Sequence, residues 1–242
     1  YIENAMELLD EPGEFYYNKA EQMIYYYPFR NESLNTSEIY AGTCELMLSV
    51  MGNSVDERVS NLIFENLDFR YGAWNELNKQ GMVVAQADKI INGMNDSVGR
   101  GGTIPPSQLT IQYATGIQVR NCEFSCLGSG AISMPTAVSD AAVIGNSIHD
   151  ISGSGIIVGS WDHNEPREGM EQCSNIDIMN NAIIRVAREF RGSCGISVYY
   201  EKNINILHND LRELPYTGIT LGWGWGEEAD FGNIKVSYNR IE

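Results

Sequence analysis

Basic residues, prolines and long apolar runs are scarce in this sequence. Its 242 residues include 16 Lys and Arg against 32 Asp and Glu, for a formal net charge of −16. That charge argues against nucleic acid and anionic membrane surfaces as partners, because both attract basic patches. The absence of any apolar run of about 18 residues excludes a membrane-spanning helix. With only 7 Pro but 24 Gly, the composition favours a fold of short elements and tight turns.

The few cysteines and the chain ends carry no recognisable signal. The five cysteines follow no zinc-ligand spacing, and their odd number leaves at least one thiol free or paired elsewhere. We expect them to be small buried residues of a repetitive core. The first residues show no signal peptide, and the pattern described below is still in progress at Glu242. We therefore expect a piece of a longer protein, truncated at both ends.

An irregular internal repeat begins near residue 59. In each copy an alternating apolar strand leads into an asparagine, and the copies end at Asn66, Asn121, Asn146, Asn181, Asn209 and Asn239. Asparagine tolerates left-handed backbone angles and bonds neighbouring backbone groups, so it suits a sharp corner. On stacked coils, such residues predict a ladder of side-chain amides. The asparagine slips by one position between copies, which leaves the geometry of each corner open.

A glycine followed by alternating apolar residues is the second repeated feature. Its copies start at Gly81, Gly130, Gly155, Gly195 and Gly218. We expect these glycines to meet the same left-handed demand at another corner, and every second residue after them to point inward. The only Asn-Gly pair, Asn92-Gly93, lies outside the repeat, which disfavours a hairpin-based sandwich. The pattern predicts an all-β right-handed parallel β-helix, a solenoid of strands stacked coil upon coil.

The predicted domain organisation has two parts. Residues 59–242 form the coils, whereas residues 1–58 do not fit the repeat and contain a tyrosine-rich β-hairpin. We expect this first segment to dock on the solenoid as an insertion or a cap.

Aromatic residues collect where long loops follow the glycine corners. They are Trp161, Tyr199, Tyr200, Trp223 and Trp225. Because neighbouring coils lie close together, these rings are predicted to share one edge and to stack on sugars. The alternative is that they cap the core or pack the loops together.

Carboxylates share the same predicted edge. Asp162 and Glu201 follow matched corners on neighbouring coils and are the predicted catalytic pair, with Glu227 and Glu228 in reserve. Glycosidases use two carboxyls, held about 5–5.5 Å apart in retaining enzymes and about 6.5–9.5 Å apart in inverting ones. Asp88, which falls at a matched position, and His163 are predicted to contact the substrate.

A metal site is only faintly indicated. Oxygen ligands for Ca²⁺ occur at Asp162, Glu165, Glu168 and Glu171, but they lack the dense alternate-residue spacing of calcium loops. We therefore expect no cofactor and no metal.

Two stretches resemble motifs of bacterial parallel β-helix carbohydrate-active proteins. They are Leu8–Tyr17 followed by Ile24–Pro28, and His208–Gly226 with its Gly-Trp-Gly-Trp-Gly ending. The groups that they resemble are glycoside hydrolase family 141, with fucosidase and xylanase activities, and the β-xylosidases of family 120. The resemblance implies a secreted or periplasmic enzyme of plant-polysaccharide breakdown with acidic residues on its cleft face.

The leading functional expectation is hydrolysis of a plant-type poly- or oligosaccharide, whether xylan-like, fucosylated or a pectic side chain. A polysaccharide lyase or epimerase acting on a uronate polymer is an alternative. That chemistry requires a cation or metal to neutralise the substrate and a suitable base, and few basic residues occupy the loop edge. A non-catalytic glycan-binding or adhesive β-helix is the other alternative, because one fold supports many functions.

Overall fold

The computed structural model describes residues 4–74, 83–84, 88, 90–91, 104–160, 171–222 and 231–242. The chain divides into two compact units, Tyr1–Ala41 and Gly42–Glu242.

The first unit contains the predicted hairpin. A short 3-10 helix, Met6–Leu8, precedes two antiparallel strands, β1 (Phe15–Asn18) and β2 (Met23–Tyr26). Gly13 leads into β1 with a φ of +95°, and a Cβ at this position would lie 2.5 Å from the Phe29 ring. A side chain is therefore excluded there both by the backbone angle and by space.

The second unit is a parallel β-helix whose strands form three faces. The first face contains β3 (Leu48–Met51), the first part of β9 (Ser107–Thr115), the first part of β12 (Gly130–Ile144), β14 (Ile156–Val158), β17 (Ile196–Val198) and β20 (Ile219–Leu221). The second face contains β4 (Val59–Ser60), β5 (Ile63–Glu65), the end of β9, β10 (Gln118–Arg120), the end of β12, β15 (Ser174–Met179), β18 (Lys202–Leu207) and β21 (Gly232–Ser237). The third face contains β6 (Asp68–Arg70), β11 (Glu123–Ser125), β13 (Ser147–His149), β16 (Ala182–Ile184), β19 (Asp210–Arg212) and β22 (Arg240–Ile241).

The boundary between the units differs from the expected one. Strand β3 lies within the predicted first segment, yet it pairs in parallel with β9 on the first face. Residues 42–58 therefore belong with the coils. A separate antiparallel pair, β7 (Val83–Val84) and β8 (Ile90–Ile91), lies within the long connection before β9.

Stacked aliphatic side chains form the core. Ile156 pairs in register with Ile196 and Val158 with Val198, and all four side chains are buried, as the alternation predicts. On β20 the burial declines, and Leu221 is 38% exposed. β20 is the last strand of the first face among the described residues, so its side chains have a described neighbouring coil on one side only.

The predicted asparagine ladder is present on four successive coils. The side-chain amide of Asn146 donates to Asn181 at 2.9 Å, Asn181 to Asn209 at 2.9 Å, and Asn209 to Asn239 at 3.0 Å. The one-residue slip now has an explanation. In the first two copies Asn66 and Asn121 occupy the left-handed corner position, with φ of 57° and 51°. The ladder position follows that corner.

The glycine corners have a different cause from the predicted one. Gly155, Gly195 and Gly218 are not in the left-handed region. Instead, a Cβ on Gly155 would lie 2.6 Å from the carbonyl oxygen of Gly195, and one on Gly195 would lie 2.7 Å from that of Gly218. Close approach of successive coils therefore selects glycine here, and the expectation of a left-handed demand is wrong.

The cysteines divide into two groups. Cys122, Cys173 and Cys194 are buried as expected, whereas Cys44 and Cys126 are exposed, and no two of these five described cysteines form a disulfide.

The described residues contain no helix long and apolar enough to cross a membrane.

Candidate functional site

The outer surface of the first face carries a row of residues in register. Ser49 pairs with Thr110, Thr110 with Ser133, and Ser133 with Ile157. Alternation along each strand turns these side chains away from the core. The Thr110 and Ser133 hydroxyls lie 3.1 Å apart and share a hydrogen bond.

This row forms the floor of a cavity of about 360 Å³, which we call the outer groove. Its lining residues are Leu46, Ser49, Met51, Ile104, Pro105, Pro106, Ser107, Thr110, Gln112, Ser133, Pro135, Ile157, Gly159 and Ser160. None of these described lining residues has a charged side chain, although a fifth of the chain is charged.

Glu201 lies next to one end of the outer groove. Its side chain is buried, and its Oε2 accepts a hydrogen bond from the backbone N–H of Cys173. Its Oε1 lies in the space that a Cβ on Gly159 would occupy, and Gly159 lines the groove. Gly159 has a φ of +85°, a left-handed angle at which glycine carries no steric cost. The chain thus holds a carboxylate beside the groove in a fixed orientation.

Asp88 is also buried, but it lies in a different environment. Its Oδ1 accepts hydrogen bonds from the Ser154 hydroxyl and from the Cys194 N–H, the latter at 3.0 Å. Its Oδ2 accepts from the hydroxyls of Ser197 and Tyr199. Its own N–H donates to the Gly192 carbonyl at 3.0 Å. These bonds connect the long connection before β9 to the coils around β14 and β17.

Burial determines the electrostatics of this cluster. Desolvation raises the pKa of Asp88, and the hydrogen bonds from Ser154, Ser197, Cys194 and Tyr199 oppose that change. Burial likewise raises the pKa of the Cys194 thiol, with the nearby Asp88 charge as a second cause. Cys194 is therefore a neutral thiol, and its environment does not activate it as a nucleophile.

Tyr199 and Tyr200, which are predicted to stack on sugars, have buried rings. Tyr199 is 1% exposed and Tyr200 is 6% exposed, and both pack with Ile157. Tyr200 also makes an edge contact with Phe231, with ring centroids 6.4 Å apart. Their burial fits the alternative in which aromatic rings cover the core, and leaves sugar stacking by these two a prediction.

Seven predicted site residues lie outside the described part of the chain. They are Trp161, Asp162, His163, Trp223, Trp225, Glu227 and Glu228. Their roles, and the separation of Asp162 from Glu201, stay predictions. Of the weakly indicated calcium ligands, Glu165 and Glu168 also lie outside the described residues, whereas Glu171 is described and exposed. Among the described residues, no three His, Cys, Asp or Glu side chains are placed to hold a metal ion.

The first unit has a separate cavity of about 370 Å³ lined by Phe15, Tyr26, Glu32, Glu38 and Tyr40 among others. The Tyr26 hydroxyl donates to Glu32 and the Tyr40 hydroxyl to Glu38, each at 2.6 Å. These contacts tie each carboxylate to a neighbouring ring, and we assign this cavity no role.

Sequence reasoning missed Gly159 and the hydroxyl row. The row carries a detectable signal, because Ser49, Thr110 and Ser133 are the polar positions of alternating strands. Gly159 carries none, because its requirement comes from a carboxylate 42 residues further along the chain.

Comparison with protein families agrees with this architecture. The family described as "Right handed beta helix region" matches residues 50–241. The chain belongs to the right-handed β-helix family. The family is right-handed, which agrees with the predicted hand of the solenoid. The match starts inside β3, which is consistent with a unit boundary before that strand.

A solved structure with the name "Glycoside hydrolase" is similar to this β-helix. The two share 31% sequence identity with a TM-score of 0.81, over 92% of this chain and 41% of the other. The chain therefore spans less than half the length of that protein. No curated protein matches the chain significantly. The resemblance to glycoside hydrolase families 141 and 120 stays a prediction.

Proposed function

We propose that this β-helix is part of a glycoside hydrolase in which Glu201 is one of the two carboxyls that cleave the glycosidic bond. The observation that carries the proposal is the buried Glu201 carboxylate, which is oriented by the Cys173 N–H and lies against Gly159 at the outer groove. A carboxylate held in one orientation beside a cavity suits catalysis, because it loses little further conformational freedom on the way to the transition state. The similarity to a solved structure named as a glycoside hydrolase supports the same class.

The chemistry requires a second carboxyl. One carboxylic acid protonates the leaving-group oxygen as the glycosidic C–O bond breaks, and the other acts as a nucleophile or activates water. Water supplies the hydroxyl of the new reducing end and restores the proton. We propose Asp162, which follows the matched corner on the neighbouring coil, as the partner, with Glu227 and Glu228 in reserve.

The substrate is proposed to be a plant-type poly- or oligosaccharide, and the enzyme a secreted or periplasmic one. The support is the resemblance of two sequence stretches to β-helix carbohydrate-active proteins, together with Trp161, Trp223 and Trp225 near the site in sequence. Such rings contact the apolar faces of sugars. Asp88 and Tyr199 are buried and hydrogen-bonded to each other, and neither is among the lining residues of the outer groove.

A product assay separates the proposal from its alternatives. The full-length protein is incubated with aryl glycosides, xylan, fucosylated glycans and polygalacturonate, and new reducing ends and unsaturated uronates are both measured. The proposal expects reducing ends without unsaturated products. Unsaturated ends would identify a lyase, and binding without any product would identify a non-catalytic glycan-binding protein.

A further inference from the structure

Glu201 lies at the end of a tight turn that follows β17. Its N–H donates to the carbonyl of Tyr199, two residues earlier, at 3.0 Å, and the Tyr199 N–H donates to the Val158 carbonyl at 2.9 Å. These bonds fix the backbone only. A glutamate side chain has several staggered rotamers, so contacts from outside the turn must set the direction of its carboxylate.

Two consecutive residues of the neighbouring coil, Gln172 and Cys173, supply such contacts. The side-chain amide of Gln172 donates to the Tyr200 carbonyl at 2.6 Å, and the Cys173 N–H donates to Glu201 Oε2. In the opposite direction, the Lys202 N–H donates to the Cys173 carbonyl at 3.3 Å. The same two residues therefore hold both the backbone of the turn and the carboxylate that it carries.

The contacts of Gln172 and Cys173 are geometrically linked. Each of these residues bonds to one of two adjacent residues, so a shift of the Tyr200 carbonyl away from Gln172 also moves Glu201 relative to the Cys173 N–H. Cys173 is itself held in place, because its thiol donates to the Met134 carbonyl at 3.3 Å. Gln172 thus fixes the turn, while the Cys173 N–H selects one carboxylate oxygen.

The selected oxygen leaves the other one on the groove side. Glu201 Oε1 lies against Gly159, which lines the outer groove. Gln172 does not reach that place, because its side chain is buried, its amide nitrogen bonds to a backbone carbonyl, and it is not among the described lining residues of the groove. Its influence on the groove can only pass through Glu201 and its turn.

We propose that Gln172 is a positioning residue that, together with the Cys173 N–H, sets the direction of the Glu201 carboxylate at the outer groove. The inference rests on the proposed function, because an effect on turnover requires that Glu201 is a catalytic carboxyl. A misplacement of about 1 Å costs a reaction about 10²-fold in rate, so a small rotation of this carboxylate is measurable.

Gln172→Met tests the proposal in the full-length protein. Methionine has a similar length and volume but no N–H donor, so the contact to the Tyr200 carbonyl is lost. We expect kcat to fall by about tenfold to a hundredfold. KM is expected to stay nearly unchanged, because Gln172 acts on the transition state through Glu201 rather than on substrate binding. Gln172→Asn, whose shorter amide does not reach, is the second variant and is expected to act in the same direction.

Gln108→Met is the matched control. Gln108 is also a buried glutamine, and its amide donates to the carbonyls of Glu45 and Ala73 and to the Ser129 hydroxyl. Its loss is therefore expected to reduce stability at least as much as the loss of Gln172, while kcat stays at the wild-type value.

Two further readouts separate positioning from a structural role. In the Glu201→Gln background, Gln172→Met is expected to leave the residual rate unchanged, because substitutions that act through one group are not additive. The second readout needs no substrate. Hydrogen exchange of the Cys173 amide is expected to speed up by about tenfold in Gln172→Met, the effect of about one lost hydrogen bond, and to stay unchanged in Gln108→Met.

Three results would overturn the proposal: a kcat of Gln172→Met equal to that of the control, an undiminished loss in the Glu201→Gln background, or unchanged exchange of the Cys173 amide. The proposed function fails separately. Faster Cys173 exchange in a protein that hydrolyses no glycan would support the positioning of the carboxylate and refute its catalytic role. Hydrolysis that is insensitive to Gln172→Met would refute only the positioning.

Discussion

Asp88 is a buried acid whose carboxylate accepts four hydrogen bonds. Three hydroxyls and one backbone N–H point to its carboxylate. Asp88→Ala removes this shared acceptor, and each buried donor that is left unpaired costs about 1–3 kcal/mol. We expect the variant to lose at least about 2 kcal/mol of unfolding free energy in urea titrations. A loss within experimental error would show that the connection before β9 is not anchored at this point.

The pH dependence of stability tests the same group by another route. Because burial raises the folded-state pKa of Asp88, the native state holds the proton more tightly than the unfolded chain does. The contribution of this group to stability therefore falls as pH rises from the ordinary aspartate range through the raised pKa. Asp88→Asn removes that dependence, so the stability advantage of the wild type over Asp88→Asn is expected to shrink as pH rises. An advantage that grows with pH would mean that the hydrogen bonds outweigh desolvation.

Gly159 combines a left-handed backbone with contact to a candidate catalytic group. Gly159→Ala introduces a Cβ that overlaps Glu201 Oε1 and costs about 1–2 kcal/mol for the left-handed angle. We expect reduced stability together with a lower kcat, because Glu201 must move. Gly116→Ala is the control, since it has a φ of +67° and a similar approach to the Asn61 side chain, away from the groove. Equal activity losses in the two variants would assign the effect to stability alone.

At the scale of strands and corners, the asparagine ladder ties successive coils together. Asn181 accepts from the backbone and side-chain amides of Asn146 and donates to Asn209 and to the Val143 carbonyl. With net values of about 0.5–1.5 kcal/mol for each of these four hydrogen bonds, Asn181→Ala is expected to lose about 2–6 kcal/mol of unfolding free energy. Asn205→Ala, which removes one bond to Asp177 on the outside of β18, is expected to lose about 1 kcal/mol or less. Comparable losses in thermal or urea unfolding would contradict the ladder's role.

The repeated corners show what local sequence can and cannot predict. The asparagines can be detected because identical side chains recur after an alternating strand, and four of these copies form the ladder. Their slip could not be interpreted, because the left-handed residue changes from Asn121 to Gly145, Asn180, His208 and Tyr238 along the stack. At the glycine corners the sequence shows the residue type but not its cause, because the crowding comes from the next coil.

Across the whole molecule, the fold was predictable and the site only partly so. Inward alternation of aliphatic residues in short strands is a local signal repeated on every coil. The solenoid can therefore be predicted from a single sequence. The distance of Glu201 from a glycine corner predicts a position at the loop edge, and its catalytic role stays a prediction. The burial of Asp88 and Tyr199 was not, because it depends on a connection that returns over the coils from about 110 residues earlier in the chain.

The rate of glycoside hydrolysis by Glu201→Gln shows whether Glu201 is a catalytic carboxyl. The substitution keeps the shape of the side chain and an oxygen for the Cys173 N–H, while it removes the ionisable group. On the best substrate from the product assay, kcat is expected to fall by about 10²–10⁴-fold, as for loss of a general acid or base, with the melting temperature nearly unchanged. Glu123→Gln, a half-buried glutamate on the third face that pairs with Arg70, is expected to retain wild-type kcat. A general acid or base contributes more than about tenfold to the rate. If Glu201→Gln instead hydrolyses that substrate within about tenfold of the wild-type rate, Glu201 is not a catalytic carboxyl and the proposed function is wrong.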